Sequence, residues 1–481
     1  MTNLTTNPIL TEEQALSKDK IINWFHNSND PYMILSGSGG TGKTTLVSEL
    51  LNHIEDCEII LTGTTHKCLE LLKSRTAYWL YTDAMTVHKF LGLRPEPDAY
   101  GKLRLEGKAK KEFTAELVIV DESSMVGSGL WEWIEIGTSV YTGTPGFNQI
   151  KWLFVGDPAQ VNPVGESKST LFDRGLPTVE LKTIVRHKGN LLNFVSKVRN
   201  EGENAITSWS RTYTSFSKFR GDFLNCAVSK EPGDCVYLGW TNKAIDQMRE
   251  ELRLHLYDAT PEQMFVEGEI IRSNSDVYRT LKQEDDWKCL EKKLPLMPAM
   301  EGDVVGKSSH IFQVLSVNIL APGFYPYWTY SLKLRNLSTR FAGVGIGVTT
   351  AIHPSSLEDY RADLKKIADA ATAWKVAHQK KDGLGETQSI KLLTDLGFKG
   401  MKGRVAQAAW AYYFNVQRLF STFSSPYVIT VHKAQGSDYQ NVWVDCADIL
   451  KNRNIQERSR ILYTAVTRSK ENLALYLPRQ L

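Results

Sequence analysis

Short apolar runs recur along the first third of the chain, and each is followed by a glycine-rich or polar turn. They are MILSG at 33–37, EIILTG at 58–63, ELVIVDE at 116–122 and WLFVGD at 152–157. Runs this short and continuously apolar, separated by helical stretches such as 44–54 and 67–72, are typical of buried parallel strands. The pattern predicts a doubly wound α/β sheet whose functional loops lie at the carboxyl ends of its strands.

The same pattern returns later and predicts a second α/β sheet. Its candidate strands are DCVYLGWTN at 234–242, PYVITVH at 426–432 and NVWVDC at 441–446. Residues 269–425 differ, because a β-rich aromatic section (303–350) precedes amphipathic helical sections at 356–380 and 403–423; we interpret them as an inserted domain. A smaller basic insertion, 93–114, carries turn signals and predicts a β-hairpin. Four domains are predicted: a first α/β domain (1–92 with 115–182), the hairpin insertion within it (93–114), a second α/β domain (183–268 with 426–481) and the inserted domain (269–425).

Composition narrows the functional classes only in part. A chain of 481 residues with 42% hydrophobic and 23% charged residues predicts a globular protein of two to four domains. The net charge of +3 means that a nucleic-acid partner would need a local basic groove. None of the six cysteines forms a C-x-x-C pair, which disfavours a zinc or redox site. The lack of an apolar signal core or a long apolar run predicts a cytoplasmic protein without membrane contact.

GSGGTGKT at 37–44 fits the phosphate-binding pattern G-x-x-x-x-G-K-[ST], between a strand and a helix. In such a loop the backbone N–H groups surround the phosphates, Lys43 neutralises β/γ oxygens, and the Thr44 hydroxyl is a ligand of Mg²⁺. The motif predicts ATP and Mg²⁺ as cofactors. The residues predicted to bind the nucleotide here are Gly37, Gly39, Gly40, Thr41, Gly42, Lys43, Thr44 and Thr45.

Two further strand ends supply the remaining catalytic candidates. LVIVDES (117–123) ends a buried strand in two acids, so Asp121 is predicted to hold Mg²⁺ through water and Glu122 to polarise the attacking water. GDPAQVNPV (156–164) follows the next strand. Its Gln160 is predicted to sense the γ-phosphate, as an amide at a strand tip can do in P-loop enzymes.

Five motifs in series carry a family resemblance: GSGGTGKT, VDES, GDPAQ, TVHKAQGSDY (430–439) and YTAVTR (463–468). The chain resembles the superfamily-one helicases, in particular the RecD-like branch with the phage Dda helicase. The resemblance spans the chain except for the insertions. It implies two tandem RecA-like P-loop domains, with a small β-hairpin insertion in the first and a β-barrel-plus-helical insertion in the second.

The resemblance also implies roles for further residues. Gln14 would read adenine. Arg186 and Arg468 would be arginine fingers that reach the γ-phosphate. Gln435 and Gly436 would lie in the motif that couples nucleotide to nucleic acid, with Gly436 contacting the nucleotide. The residues that would contact the nucleic-acid strand are Thr64, His66, Lys67, Thr86, His88, Asn242, Thr430, His432 and Lys433.

The resemblance implies a DNA helicase that hydrolyses ATP, translocates on single-stranded DNA and unwinds duplex at forks. Only the short segment 93–114 interrupts the first motor domain, as in the RecD-like branch, whose members move 5′ to 3′. The 93–114 hairpin would be the pin that splits the duplex, with Tyr100 and Phe113 as wedge candidates. The aromatic cluster GFYPYWTY (323–330) is interpreted as core rather than as a DNA-facing surface. A phage origin, with the host cytoplasm as location and a role in replication, repair or recombination, is also expected. The expected form is a monomer, with a single-strand-binding or recombination protein as a candidate partner.

Two alternatives remain open on the sequence. An RNA helicase of the same superfamily is one, since no residue is identified as reading a 2′-hydroxyl. The other is a nucleic-acid protein that does not unwind: either an ATP-dependent remodeller, or a binding protein whose ATPase is inactive. The intact set of Lys43, Asp121, Glu122, Gln160 and Arg468 argues against a dead ATPase.

Overall fold

A computed structural model of the chain describes residues 10–54, 56–64, 68–69, 72–73, 76, 81–97, 103–106, 115–139, 149–163, 170–279, 304–323, 327–338, 346–395, 410, 413–414, 417 and 419–479. These residues form two compact units. The first contains the described residues up to Arg94, those of 105–248 and those from Tyr427 onwards. The second contains those of 95–104 and 249–426.

The regular elements are numbered in chain order. The strands are β1 Tyr32–Gly37, β2 Ile59–Gly63, β3 Asp83–Thr86, β4 Arg94–Pro97, β5 Leu103–Glu106, β6 Leu117–Asp121, β7 Lys151–Gly156, β8 Thr178–Leu181, β9 Thr212–Tyr213, β10 Cys235–Gly239, β11 Ile270–Ser273, β12 Val277–Tyr278, β13 Val304–Gly306, β14 Ile311–Leu320, β15 Thr329–Asn336, β16 Ile346–Ile352, β17 Phe423–Ser424, β18 Val428–Thr430, β19 Tyr439–Asp445 and β20 Ser469–Tyr476. The α-helices are α1 Glu12–Asn27, α2 Lys43–Leu51, α3 Val87–Phe90, α4 Ser128–Ser139, α5 Gly189–Glu201, α6 Phe216–Ser229, α7 Asn242–Tyr257, α8 Leu357–Lys380, α9 Gly383–Asp395, α10 Val431–Ala434, α11 Cys446–Ile449 and α12 Ile455–Val466.

The first sheet of the first unit is parallel, in the order β3-β2-β6-β7-β1-β8. Its central strands are apolar because both of their faces are covered: Leu35, Ile119 and Leu153 face one hydrophobic cluster, while Val118 and Phe154 face another. In register, Gly63 lies beside both Asp121 and Thr86. The carboxyl ends of these strands therefore form one level edge, where the predicted motifs meet.

The second sheet of that unit is also parallel, in the order β18-β10-β19-β20-β9. Val236, Leu238, Val442 and Val444 belong to the hydrophobic cluster that α5 and α12 help to form. Gly239 pairs with Thr430, so the loop after β10 and the turn after β18 begin at the same level.

The second unit has an antiparallel sheet of its own, in the order β16-β15-β14-β11-β17. The Ser421 N–H, near β17, donates to Thr350 O of β16 at 2.8 Å, which brings the two ends of the sheet together in the manner of a small barrel. Its core contains Phe312, Leu332 and Leu334. The long helix α8 and α9 follow the barrel.

The predicted fold class is confirmed, and most strand limits differ from the predicted runs by one or two residues. The aromatic cluster is divided: Tyr327 and Tyr330 are buried, as expected for core, whereas the Trp328 side chain is exposed. The longer segment of the second unit begins at Arg249, inside α7, whereas the inserted domain is predicted to begin at residue 269. β4 and β5 pair as a two-stranded sheet within the smaller insertion, whereas Tyr100 and Phe113 lie outside the described residues.

Candidate functional site

The loop between β1 and α2 has the backbone that a phosphate-binding loop requires. Gly42 is the N-cap of α2 at φ 83°, and a Cβ atom there would clash with the Gln14 amide, so only glycine fits. Thr41 Oγ1 donates to Ser38 O at 2.9 Å inside the loop. The other predicted phosphate-binding residues lie in this loop or in the first turn of α2, namely Gly37, Gly39, Gly40, Thr44 and Thr45.

Lys43 places its ammonium group directly on this loop. Nζ donates to Gly37 O at 2.7 Å and to Ser38 O at 3.2 Å. Burial lowers the pKa of Lys43, and the carboxylates of Asp157 and Glu122 act in the opposite direction. A cation held at the loop by backbone carbonyls is suited to transfer to phosphate oxygens, which are stronger acceptors.

The two acids after β6 have different surroundings. Asp121 is almost buried, and its Oδ1 accepts the Glu122 N–H at 2.9 Å. Glu122 has left-handed backbone angles, φ 51° and ψ 44°, which cost a non-glycine residue on the order of 1–3 kcal/mol. This conformation begins the 3₁₀ turn Ser123–Met125, so the chain turns sharply at the acid predicted to polarise water. The Asp121 carboxylate and Thr44 hydroxyl are oxygen donors of the kind Mg²⁺ prefers.

Gln160 lies in the loop that follows β7. Its side chain is 3% exposed, and among the described residues its Oε1 has no hydrogen-bond partner. A buried acceptor without a partner is costly, and such atoms often meet a water or ligand. Arg460 of α12 stabilises this loop, because its guanidinium donates to Pro158 O and to Gln160 O.

Gln14 is buried against the phosphate-loop residue Thr41. Its Nε2 donates to Thr41 O at 2.9 Å, and its Oε1 accepts the Thr11 N–H at 2.9 Å in the capping box of α1. Each end of the amide therefore has one protein partner and keeps a second hydrogen-bonding position. The adenine-reading role stays a prediction.

The two arginines predicted as fingers both have protein partners. The Arg186 N–H donates to Gly40 O at 3.0 Å, while its guanidinium lies 3.3 Å from Asp438 Oδ2. Arg468 is 3% exposed, and its Nε, Nη1 and Nη2 donate to Thr464 O, Ser437 O and Thr467 Oγ1. Arg186 thus adjoins the phosphate loop directly, whereas Arg468 contacts the residue Thr467, whose side chain faces Gly39.

The structure adds a cluster to which the sequence analysis assigned no roles: Arg199, Asp157 and Tyr463. The Asp157 carboxylate accepts the Gly39 N–H at 3.0 Å, the Tyr463 hydroxyl at 2.9 Å and Arg199 Nη1 at 3.1 Å. Burial and the charge of Asp157 raise the pKa of Tyr463 to about 12. Asp157 and Tyr463 lie inside the quoted motifs GDPAQ and YTAVTR, but Arg199 is one of many helical arginines, and no pattern distinguished it.

One face of α12 contacts the motifs of the first sheet. Arg460 reaches the loop after β7, Thr464 Oγ1 accepts the Val161 N–H at 3.1 Å, and the Thr467 side chain, just after the helix, adjoins Gly39. Because these residues recur at helical spacing, a rotation of α12 would move all of these contacts together. The second sheet is thereby connected to the loops that are predicted to bind nucleotide.

The tetrapeptide TVHK occurs twice and adopts the same structure at an edge strand of each parallel sheet. Thr86 ends β3 and caps α3, its Oγ1 accepting the Lys89 N–H at 3.3 Å. Thr430 ends β18 and caps α10, its Oγ1 accepting the Lys433 N–H at 3.4 Å. Burial lowers the pKa of the following histidines, His88 and His432. Each sheet thus presents a capped turn, a partly buried imidazole with a lowered pKa and an exposed lysine.

The other predicted strand-contact residues are placed unevenly. Thr64 follows β2, and Asn242 is exposed at the start of α7, where Asp448 accepts hydrogen bonds from Trp240 and Thr241. His66 and Lys67 lie outside the described residues.

Gln435 and Gly436, the residues predicted to couple nucleotide to nucleic acid, contact the acidic loop after β6. Gln435 Nε2 lies 2.9 Å from Ser124 Oγ and 3.4 Å from Glu122 Oε2. A Cβ atom built on Gly436 would lie 3.6 Å from Glu122 Cγ, and the φ of 71° favours glycine there.

Of the helices that the structure describes, none is long and apolar enough to cross a membrane.

Comparisons with known proteins agree with this arrangement. Residues 10–213 match an AAA domain, and residues 426–476 match a UvrD-like helicase C-terminal domain. An uncharacterized protein of Acanthamoeba polyphaga mimivirus is 22% identical over 97% of this chain and 99% of its own length. The RecBCD enzyme subunit RecD of Buchnera aphidicola is 21% identical over 100% of this chain and 75% of its own.

A solved structure, Bacteroides Pif1 bound to single-stranded DNA, superposes with a TM-score of 0.50 at 15% identity, covering 97% of this chain and 92% of that one. That likeness concerns the fold. Two of the proteins compared are a RecD subunit and a Pif1, and the expected closeness to Dda stays a prediction.

Proposed function

The chain belongs to the superfamily-one helicases of the RecD/Pif1 type, and from that membership we propose that it is an ATP-hydrolysing motor that moves 5′ to 3′ on single-stranded DNA and unwinds duplex. One observation carries the proposal. Arg186, in the loop between β8 and α5, and Arg199, on α5, contact the phosphate loop at Gly40 and Ser38. Arg468, just before β20, contacts Thr467, whose side chain faces Gly39 of that loop. Such an arrangement lets nucleotide draw two domains together.

The chemistry follows from the groups around the loop. Lys43 would neutralise the β/γ oxygens of ATP, and Thr44 with Asp121 would hold Mg²⁺, which offsets phosphate charge when bound. Glu122 would orient water, whose oxygen bonds to the γ-phosphorus as the bond to the β–γ bridging oxygen breaks; ADP and phosphate leave, and a proton passes to solvent. Gln160 Oε1, which has no hydrogen-bond partner in the part of the chain that the structure describes, is an acceptor available for that water.

Two matching grips would hold the strand. The TVHK turns, one at an edge strand of each sheet, present capping threonines whose turns offer backbone N–H groups, and Lys89 and Lys433 lie exposed beside them. Such groups suit phosphates and not particular bases. ATP binding would close the cleft between the sheets and hydrolysis would open it, so that grips of unequal strength move the protein along the strand.

DNA is the proposed track. The Bacteroides Pif1 structure of the same fold contains single-stranded DNA, and the RecD relative is a subunit of the RecBCD enzyme. The paired strands β4 and β5 are proposed to form the pin that separates the duplex, which must offset stacking of about 1.4 kcal/mol per base step.

The proposal is tested by comparing matched DNA and RNA substrates. ATP turnover should rise in the presence of single-stranded DNA more than with RNA of the same sequence, and a partial DNA duplex should be separated only with hydrolysable ATP. Preferential stimulation by RNA would favour an RNA helicase. Stimulation by DNA without strand separation would favour a non-unwinding remodeller.

A further inference from the structure

Arg199 is a cation beside the phosphate loop that no motif accounts for. It projects from α5, and its Nη1 lies 2.6 Å from Ser38 Oγ. Lys43 Nζ contacts the same residue, at Ser38 O, 3.2 Å away. Because the P-loop lysine reaches the β- and γ-phosphates, a guanidinium that shares Ser38 with it lies near the same phosphates.

The partners of Arg199 are those of a cation held next to an anion site. Its Nη1 also lies 3.1 Å from Asp157 Oδ1 and 3.0 Å from the Tyr463 hydroxyl. The same carboxylate accepts the Gly39 N–H, a backbone donor of the kind that such loops offer to phosphate. The buried Asp157 therefore gathers an amide, a phenol and a guanidinium around one carboxylate next to the phosphate loop.

The donor count distinguishes Arg199 from Arg468. Among the described residues, every hydrogen bond of Arg199 uses Nη1, and the side chain is 25% exposed. Its Nε and Nη2 thus remain for a further acceptor. Arg468 is 3% exposed and uses all three of its nitrogens on protein oxygens. A bidentate approach to a phosphate is therefore open to Arg199 without loss of its present bonds.

We propose that Arg199 is a third phosphate-facing arginine, which Asp157 and Tyr463 hold beside the loop and which stabilises the charge on the γ-phosphate as ATP is hydrolysed. This inference rests on the proposed ATPase. It assigns Arg199 to the reacting atoms, and it makes Asp157 and Tyr463 positioning residues that orient the guanidinium.

The test compares a ground-state ligand with a transition-state analogue. For Arg199→Ala, the Kd of ADP should stay within about threefold of wild type, whereas ADP–aluminium fluoride should bind about a hundredfold more weakly and kcat should fall by a similar factor. Lys197→Ala is the control, because Lys197 is exposed on the same helix and pairs only with Glu201 among the described residues. It should change neither affinity.

Arg199→Lys keeps the positive charge but lacks the guanidinium, which can donate two parallel hydrogen bonds. This variant replaces Arg199→Ala in the test if the alanine variant does not fold. It should retain the ADP affinity and lose about tenfold in analogue affinity. Equal weakening of ADP and the analogue in either variant, or unchanged analogue affinity, would overturn the inference. Both measurements need only nucleotide binding, so failure of the wild-type protein to separate strands would count against the proposed function and not against Arg199.

Discussion

Gln435 Nε2 donates to Ser124 Oγ at 2.9 Å, and this bond joins the two sides of the candidate mechanism. Gln435 follows α10, the helix capped by the strand-contact candidate Thr430. Ser124 follows Glu122 in the 3₁₀ turn of the acidic loop. A displacement of the TVHK turn by a bound strand would therefore reach the acid proposed to orient water through one side chain.

Gln435→Ala should uncouple ATP turnover from DNA. Basal hydrolysis should remain within about threefold of wild type because the phosphate loop is untouched, while stimulation by single-stranded DNA should fall about tenfold or more. Steady-state ATPase assays with and without oligonucleotide measure both quantities. A variant that keeps full stimulation would show that coupling takes another route; Gln456→Ala, on the exposed surface of α12, serves as the matched control.

Arg468→Ala should separate binding from chemistry if Arg468 acts as a finger. ATP affinity should stay within about tenfold, and turnover should fall about a thousandfold. Arg468 is buried and donates to Thr464 O and Ser437 O, so its removal could also destabilise the fold. The thermal unfolding of the variant is therefore measured together with its affinity and turnover. Loss of stability together with equal losses in affinity and turnover would assign Arg468 a structural role.

Lys433 supplies a test of strand contact through salt dependence. For single strands the slope of log affinity against log salt is about −0.7 per neutralised phosphate, so Lys433→Ala should reduce the slope by about that amount. Lys230→Ala makes the same charge change at an exposed site after α6, away from the carboxyl edge, and should leave the slope unaltered. Identical slopes for wild type and Lys433→Ala would remove Lys433 from the DNA path.

His187 should make the protein sensitive to acid. It is buried with Nε2 bonded to Ser469 O, and burial, together with the charge of Arg186, lowers its pKa to about 4. The unfolded chain takes up the proton near the ordinary value of 6.5 and the folded protein only near 4, so stability is lost as pH falls between these values.

The size of this effect follows from the same two pKa values. From pH 7 to pH 5, His187→Gln should lose about 2 kcal/mol less unfolding free energy than wild type. Urea unfolding at the two pH values measures the difference. An equal loss in both proteins would mean that His187 is already protonated in the folded state, or that it titrates normally.

The sequence predicted the parts of the site that lie on strand ends. Lys43, Asp121 and Gln160 follow apolar runs, and parallel strands bring their carboxyl ends to one edge, so short motifs were sufficient there. Gly63 pairs with Asp121, so the carboxyl ends of β2 and β6 lie at the same level, as the motifs predicted.

What the sequence could not predict depends on contacts between distant segments. Arg199 reaches Asp157 only after α5 packs through Leu191, Phe194 and Val198 on the second sheet. The Gln14 amide also bonds to Thr11 N in the cap of α1 and to Thr41 O, two contacts that the sequence analysis did not predict, and its adenine-reading role stays a prediction. Similarly, no motif marks where α7 passes from one compact unit to the next.

Strand displacement on paired tailed duplexes tests the central claim most directly. Two substrates of identical duplex carry a single-stranded tail either at the 5′ end or at the 3′ end, and release of the labelled strand is followed with ATP. Lys43→Ala, which removes the cation on the phosphate loop, is the inactive control and should retain less than about a tenth of wild-type turnover. The account predicts release from the 5′-tailed substrate alone, and only with an intact Lys43. Release from the 3′-tailed substrate alone would contradict the assigned direction, and release from neither would contradict the helicase itself.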